Sequence, residues 1–135
     1  MYDEMVVKGI LFFNFKNQNQ KAVTIQMNQR YAIFVDAESI PTTAEESCIV
    51  AHELGHCDTG STHAVFSPLD LVAKHEYAAN KEAVHRLVPY ADMLKAIRSG
   101  YTEVWQLADQ FNVTEDFIRL ADYIYRCEGY LFDNY

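Results

Sequence analysis

His52-Glu53-Leu54-Gly55-His56, followed by Glu76 twenty residues after the second histidine, decides how the rest of the chain is read. Two histidines four residues apart on a helix lie about 40° apart around its axis, with Cβ atoms roughly 5–6 Å from one another. Imidazoles at that spacing can converge on one ion, with Zn–N bonds near ~2.0–2.1 Å. Glu53 follows His52 by one residue and points about 100° round the helix. From there its carboxylate reaches a water on the ion more readily than the ion itself. In this pattern zinc makes a water acidic and the carboxylate takes its proton.

A five-residue string of this kind arises by chance in roughly one of a few hundred chains this long, so its surroundings must carry the reading. The string needs a helix. Pro41 precedes Thr42 and Thr43, and Glu45 and Glu46 lie three residues after each, a doubled capping-box pattern. Ala44 to Ala51 supplies good helix formers, Ile49, Val50 and Leu54 offer apolar surface, and Asp58-Thr59-Gly60 reads as the exit.

A catalytic zinc site also needs a third protein ligand and one position kept for water or substrate. Glu76 is the candidate ligand. It lies on a second predicted helix, with Ser67 as N-cap, Pro68 at the first helical position and Pro89 as the stop. Val72, Glu76, Asn80, Ala83 and Leu87 form one face of it. A carboxylate and an amide on an inward face need partners. A metal satisfies Glu76, and the second ring nitrogen of a ligating histidine satisfies Asn80. The plainer alternative for Glu76 is an exposed charge beside Lys74 and Lys81.

All five histidines fall between positions 52 and 85. His75 is the rival ligand, but it sits one residue off the Glu76 face and reads better as a supporting or surface histidine. His63 and His85 are candidates only for stabilising a tetrahedral intermediate. For each of them an ordinary polar role is the alternative.

The stretch His52-Glu53-Leu54-Gly55-His56-Cys57-Asp58-Thr59-Gly60, then Ser67-Pro68, then His75-Glu76-Tyr77-Ala78-Ala79-Asn80 and Leu87-Val88-Pro89, resembles the ImmA/IrrE family of metallopeptidases. Short members of this family are commonly encoded by phages and integrative elements. The resemblance runs from about Val23 to Phe117. It implies a zincin-like helical core and a zinc-dependent endopeptidase that cleaves a helix-turn-helix repressor, relieving repression. Carried over residue by residue, it gives His52, His56 and Glu76 as metal ligands, Glu53 as general base and Asn80 at the Asn/Asp position after the ligand glutamate. Lys81-Glu82 departs from the family's more usual hydrophobic or aromatic pair. The helix expected before the first strand is short or absent.

At 135 residues the sequence reads as a single domain, 1–135, able to bury a sizeable core without staples. A net charge of −8 argues against binding nucleic acid or an anionic membrane surface. Cys48, Cys57 and Cys127 are an odd set with no Cys-x-x-Cys, which points to reduced thiols in a cytoplasmic protein. No cationic start followed by an apolar stretch and cleavage site is read, so secretion is not expected, and no apolar run approaches the ~20 residues needed to span a bilayer.

The first third is the strand region. Val6 to Phe15 is aromatic and β-branched, Val23 to Asn28 alternates, and Tyr31 to Val35 is apolar. Asn17 to Gln20 and Asn28 to Arg30 read as turns. The expected helices are 43–57, 68–88, 90–98, 103–111 and 115–128, and Gly60 to Phe66 reads as a loop that lines a cleft. The fold class is α+β, a small, largely antiparallel N-terminal sheet packed beside the motif helix.

The C-terminal helical subregion, 99–135, looks like a helix-turn-helix around Leu107-Ala108 and Phe111 to Thr114. It carries seven acids against Arg119 and Arg126, however, and carboxylates oppose the approach to phosphates. A protein-binding or structural role is expected there, with Trp105, Phe111, Phe117 and Tyr123 as aromatic surface or core. Two alternatives stand beside the endopeptidase. One is a catalytically silent module that holds a repressor or antitoxin, and Glu53 counts against it because a structural site has no use for a base. The other is a zinc hydrolase of non-peptide substrates, against which stands only the lack of a phosphate-binding glycine loop.

Overall fold

A computed structural model describes residues 1–16, 20–27, 29–60, 69–130 and 132. The chain runs through helix α1 (Tyr2–Val7), strands β1 (Leu11–Asn14), β2 (Ala22–Met27) and β3 (Arg30–Val35), and a 3-10 turn at Ala37–Ser39. Helices α2 (Thr43–Thr59), α3 (Leu69–Leu87), α4 (Tyr90–Arg98), α5 (Val104–Phe111) and α6 (Glu115–Cys127) follow. The α+β layout, sheet first and helices after, matches the sequence reading. The helix ends lie within two residues of those expected. Ser67, Pro68 and the 60–66 loop beyond Gly60 lie outside the described residues.

The sheet has the order β1-β3-β2. β2 and β3 form a hairpin with Met27 opposite Arg30 and Gln29 in the left-handed region at φ 70°. β1 joins the other side of β3 in parallel, Leu11 opposite Ala32. The sheet is therefore mixed, with six antiparallel register pairs and four parallel ones. Alternation along a strand encodes which face is buried and not which neighbour it takes, so the parallel pairing had no local signal.

Val6 to Phe15 does not form one long strand. The segment divides into the end of α1, a reversal at Gly9 (φ 70°), and β1. Tertiary contacts override the local β propensity here. Met5 is buried against Ile33, Val50 and Leu54. Glu4 takes Arg86 through both guanidinium nitrogens at 2.6 and 2.9 Å and Lys8 at 2.8 Å. Asp58 completes the ring, with Lys8 at 2.8 Å and Arg86 at 2.7 Å. Arg86, then Lys8, hold the Glu4 carboxyl down to about 2.

α2 is the central element. Thr42 is its N-cap and accepts from the Glu45 amide at 3.1 Å. The two capping-box carboxylates are used elsewhere: Glu45 pairs with Lys21 and Glu46 accepts from the Tyr2 hydroxyl. Gly60 ends the helix in the left-handed conformation at φ 63°, which a Cβ would disfavour. Val50 and Leu54 face the sheet core, while Ala51 faces a helical core with Ala83, Val84, Val88, Phe117, Ile118, Ala121, Ile124 and Tyr125.

The C-terminal pair is tied into that helical core. α6 buries Phe117, Ile118, Ala121, Ile124 and Tyr125, one face at helical spacing. The Tyr125 hydroxyl donates to the Val88 carbonyl at 2.6 Å. Phe117 is thus core and Phe111 packs against it, while Trp105 and Tyr123 remain more than half exposed. No helix among the described residues is long and apolar enough to cross a membrane.

α2 and α3 meet at Gly55. A Cβ built there would lie 2.4 Å from the Ala79 carbonyl oxygen and 2.9 Å from the Ala79 Cα. The obstacle is main chain, so one helix would have to move. Gly55→Ala gains about 1 kcal/mol of helix propensity against overpacking strain of about 1–3 kcal/mol or more. A net loss of stability is expected in urea or thermal unfolding. A variant more stable than the parent would contradict the close approach.

Candidate metal centre

The α2–α3 crossing assembles the site. His52 and His56 stand three residues before and one after Gly55. Glu76 and Asn80 stand three before and one after Ala79. Helices that touch at a glycine and an alanine therefore bring these four side chains to the same place. His52 Nε2 is 2.8 Å from Glu76 Oε2, His56 Nε2 is 3.2 Å from Glu76 Oε1, and the two Nε2 atoms are 3.2 Å apart. The rings meet edge to face.

This cluster fits a metal ion. A regular tetrahedron with bonds of ~2.0–2.1 Å has edges of about 3.3–3.4 Å, close to the 3.2 Å between the two Nε2 atoms, and each of these nitrogens faces one oxygen of the Glu76 carboxylate. Asn80 supplies the second test. Its Oδ1 lies 2.6 Å from His52 Nδ1, so that nitrogen donates and Nε2 presents a lone pair to the cluster. Two imidazole nitrogens and a carboxylate turned on one another call for a positive charge between them. The contacts with His52, then with His56, hold the Glu76 carboxyl well below the usual carboxylate range. Among the described residues, His52, His56 and Glu76 are the group with metal-ligand spacing.

Glu53 stands beside this group and outside it. It is buried, 6% exposed. Its carboxylate accepts from the Thr24 hydroxyl of β2, which also lies 3.2 Å from the Glu53 carbonyl oxygen. Burial pushes the Glu53 carboxyl up, against the opposing pull of the Thr24 hydrogen bond and the two imidazoles. A carboxylate raised in this way beside a metal site has the character of a proton acceptor.

The remaining histidines divide. His75 lies on α3 outside the cluster. His85 is nine residues beyond Glu76, about 14 Å along the helix, and its Nε2 meets both Glu128 carboxylate oxygens at 3.0 Å. It also packs edge to face on Tyr125. His85 is thereby committed to the α3–α6 contact and does not face a tetrahedral intermediate. His63 lies outside the described residues. Sequence reasoning missed Thr24, whose partnership with Glu53 spans 29 residues and leaves no local mark. Gly55 does carry a local signal, since a glycine within a helix suggests a close approach.

The IrrE N-terminal-like domain of peptidase family M78 matches residues 8–121. No curated protein and no solved structure matches the chain significantly. The matched stretch takes in the whole sheet, the α2–α3 crossing and all the residues gathered around it. The chain belongs to the M78 metallopeptidases, as an IrrE N-terminal-like domain.

Proposed function

We propose that this protein is a zinc-dependent endopeptidase whose substrate is a helix-turn-helix transcriptional repressor, and that cleavage relieves repression. The observation that carries the reading is the juxtaposition of a two-histidine, one-carboxylate donor set with a buried glutamate one residue from a ligand. The donor set is the one that catalytic zinc sites use, with three protein ligands to a four-coordinate ion. Bound there, zinc supplies Lewis acidity, making an attacking water acidic and polarising the scissile carbonyl.

The chain's own residues do the rest. Asn80 fixes the ring of His52 and its tautomer. Glu53 takes the proton of the attacking water and passes it to the leaving amine. β2 is an edge strand of the described sheet and runs past Glu53 at Thr24. An extended peptide can add to such an edge through main-chain hydrogen bonds, and this favours a peptide over a non-peptide substrate. A base buried beside the ligands also has no use in a silent binding module.

The acidic C-terminal surface suits a basic substrate. Arg119 pairs with Asp116 at 3.0 Å and Arg126 with Asp122 at 2.8 Å, so both arginines of α6 are engaged. The protein itself does not contact DNA in this reading. It works in the cytoplasm, where repressors are found and thiols stay reduced.

One zinc per chain is expected by elemental analysis, with His56→Ala losing most of it. An Ala variant that binds zinc as tightly as the parent would dismiss the ligand assignment. Glu53→Gln separates binding from chemistry: zinc content and melting temperature stay near the parent, while chelator-sensitive cleavage of a basic helix-turn-helix repressor, followed by mass spectrometry, falls by roughly 10²-fold or more. Undiminished turnover would sink the proposed mechanism. Asn80→Ala should weaken zinc affinity or activity by ~10–100-fold; titration against a competing chelator reads the first, and a parent-like result in both leaves Asn80 a mere helix-face residue.

A further inference from the structure

We propose that Thr24 is a positioning residue: its hydroxyl holds the Glu53 carboxylate away from the metal, so that the glutamate serves as a base and does not close the site as a fourth ligand. The inference rests on the metallopeptidase reading above. Thr24 sits in the middle of β2, opposite Ile33 of β3. Its hydroxyl donates to Glu53 Oε2 and lies 3.2 Å from the carbonyl oxygen of the same residue. One strand side chain thus touches both the carboxylate and the main chain of the residue that follows the first ligand.

Glu53 needs such a restraint. It is buried, and among the described residues no lysine or arginine pairs with it. A metal held by His52, His56 and Glu76 would then attract this buried carboxylate. Its position on α2 alone does not prevent an inward swing, because a glutamate has three rotatable side-chain bonds. A lysine or arginine in place of Thr24 would hold the carboxylate but neutralise it. A neutral hydroxyl holds Oε2 and leaves Oε1 as the proton acceptor. Because Thr24 belongs to the edge strand, the element that receives an extended peptide also fixes the base beside it.

Thr24→Val keeps the branched shape and strand propensity and removes only the hydroxyl. It should lower kcat by about tenfold or more with KM and zinc content unchanged, and Thr24→Ser should restore kcat. A second readout needs no substrate. In the cobalt-substituted protein, Thr24→Val should change the visible absorption toward a higher coordination number, and the same substitution made on a Glu53→Ala background should leave the spectrum unaltered. If circular dichroism shows that the Val variant is unfolded, Thr24→Ser and Thr24→Ala give the same comparison, since both lack the methyl group and differ only in the hydroxyl. Ser should then behave as the parent and Ala should not. A parent that takes up no cobalt counts against the metal centre itself. A parent that takes it up, while loss of the hydroxyl alters neither kcat nor the spectrum, overturns the role of Thr24 alone.

Discussion

The contact between Gly55 and the main chain of Ala79 is the constraint on which the rest depends. With 2.4 Å between a notional Cβ and the Ala79 carbonyl oxygen, no side chain separates the two helices at their crossing. Ala51, Ala79 and Ala83 are fully buried, so small residues carry the approach to either side. Close packing then limits α3 to one position relative to α2, since shifting one helix along the other would drive side chains into the backbone. Glu76 reaches both histidines because α3 can lie nowhere else. The site is built on two long helices rather than on loops, which suits a geometry that tolerates only small errors.

That constraint also explains which features were legible in the sequence. His52, His56, Glu76 and Asn80 could be read because their spacings are helical, and helical spacing fixes angle and rise before any tertiary contact forms. Asn80 was the more demanding inference. It required the argument that an amide on an inward face must find a partner, and His52 Nδ1 at 2.6 Å is that partner. Helix ends were legible for the same local reason, as with Thr42 at the start of α2 and Gly60 at its end. Relations between distant elements were not. Thr24 meets Glu53, Glu4 meets Arg86 and His85 meets Glu128 across 29, 82 and 43 residues, and nothing in the local pattern of either member names the other.

The N-terminal segment shows the same limit from the other side. Val6 to Phe15 has strand composition, yet α1 takes its beginning. A six-residue helix is far too short to persist alone. It is held from outside by Met5 in the sheet core and by the ring of Glu4, Lys8, Asp58 and Arg86. Exposed ion pairs singly contribute little. This ring spans α1 and the C-terminal ends of α2 and α3, and Arg86 binds Glu4 as a two-pronged fork, a geometry stronger than a single contact. The ring therefore ties α1 to the C-terminal ends of both helices of the crossing.

Glu53 concentrates the conflict between folding and chemistry. Burying a carboxylate costs stability unless hydrogen bonds or charges compensate, and full compensation by a cation would hold its proton affinity down and spoil it as a base. The observed environment is intermediate. Desolvation raises the carboxyl, while Thr24 and the two imidazoles pull against that rise without cancelling it. A bound metal would add positive charge, pulling the carboxyl back down and attracting it inward. The burial of Glu53 and its neutral partner on β2 then act in opposite senses on the same group: burial raises its affinity for a proton, and the Thr24 hydroxyl lowers it while fixing the carboxylate in place. On the role proposed for Thr24, the edge strand would belong to the catalytic apparatus as much as the motif helix does.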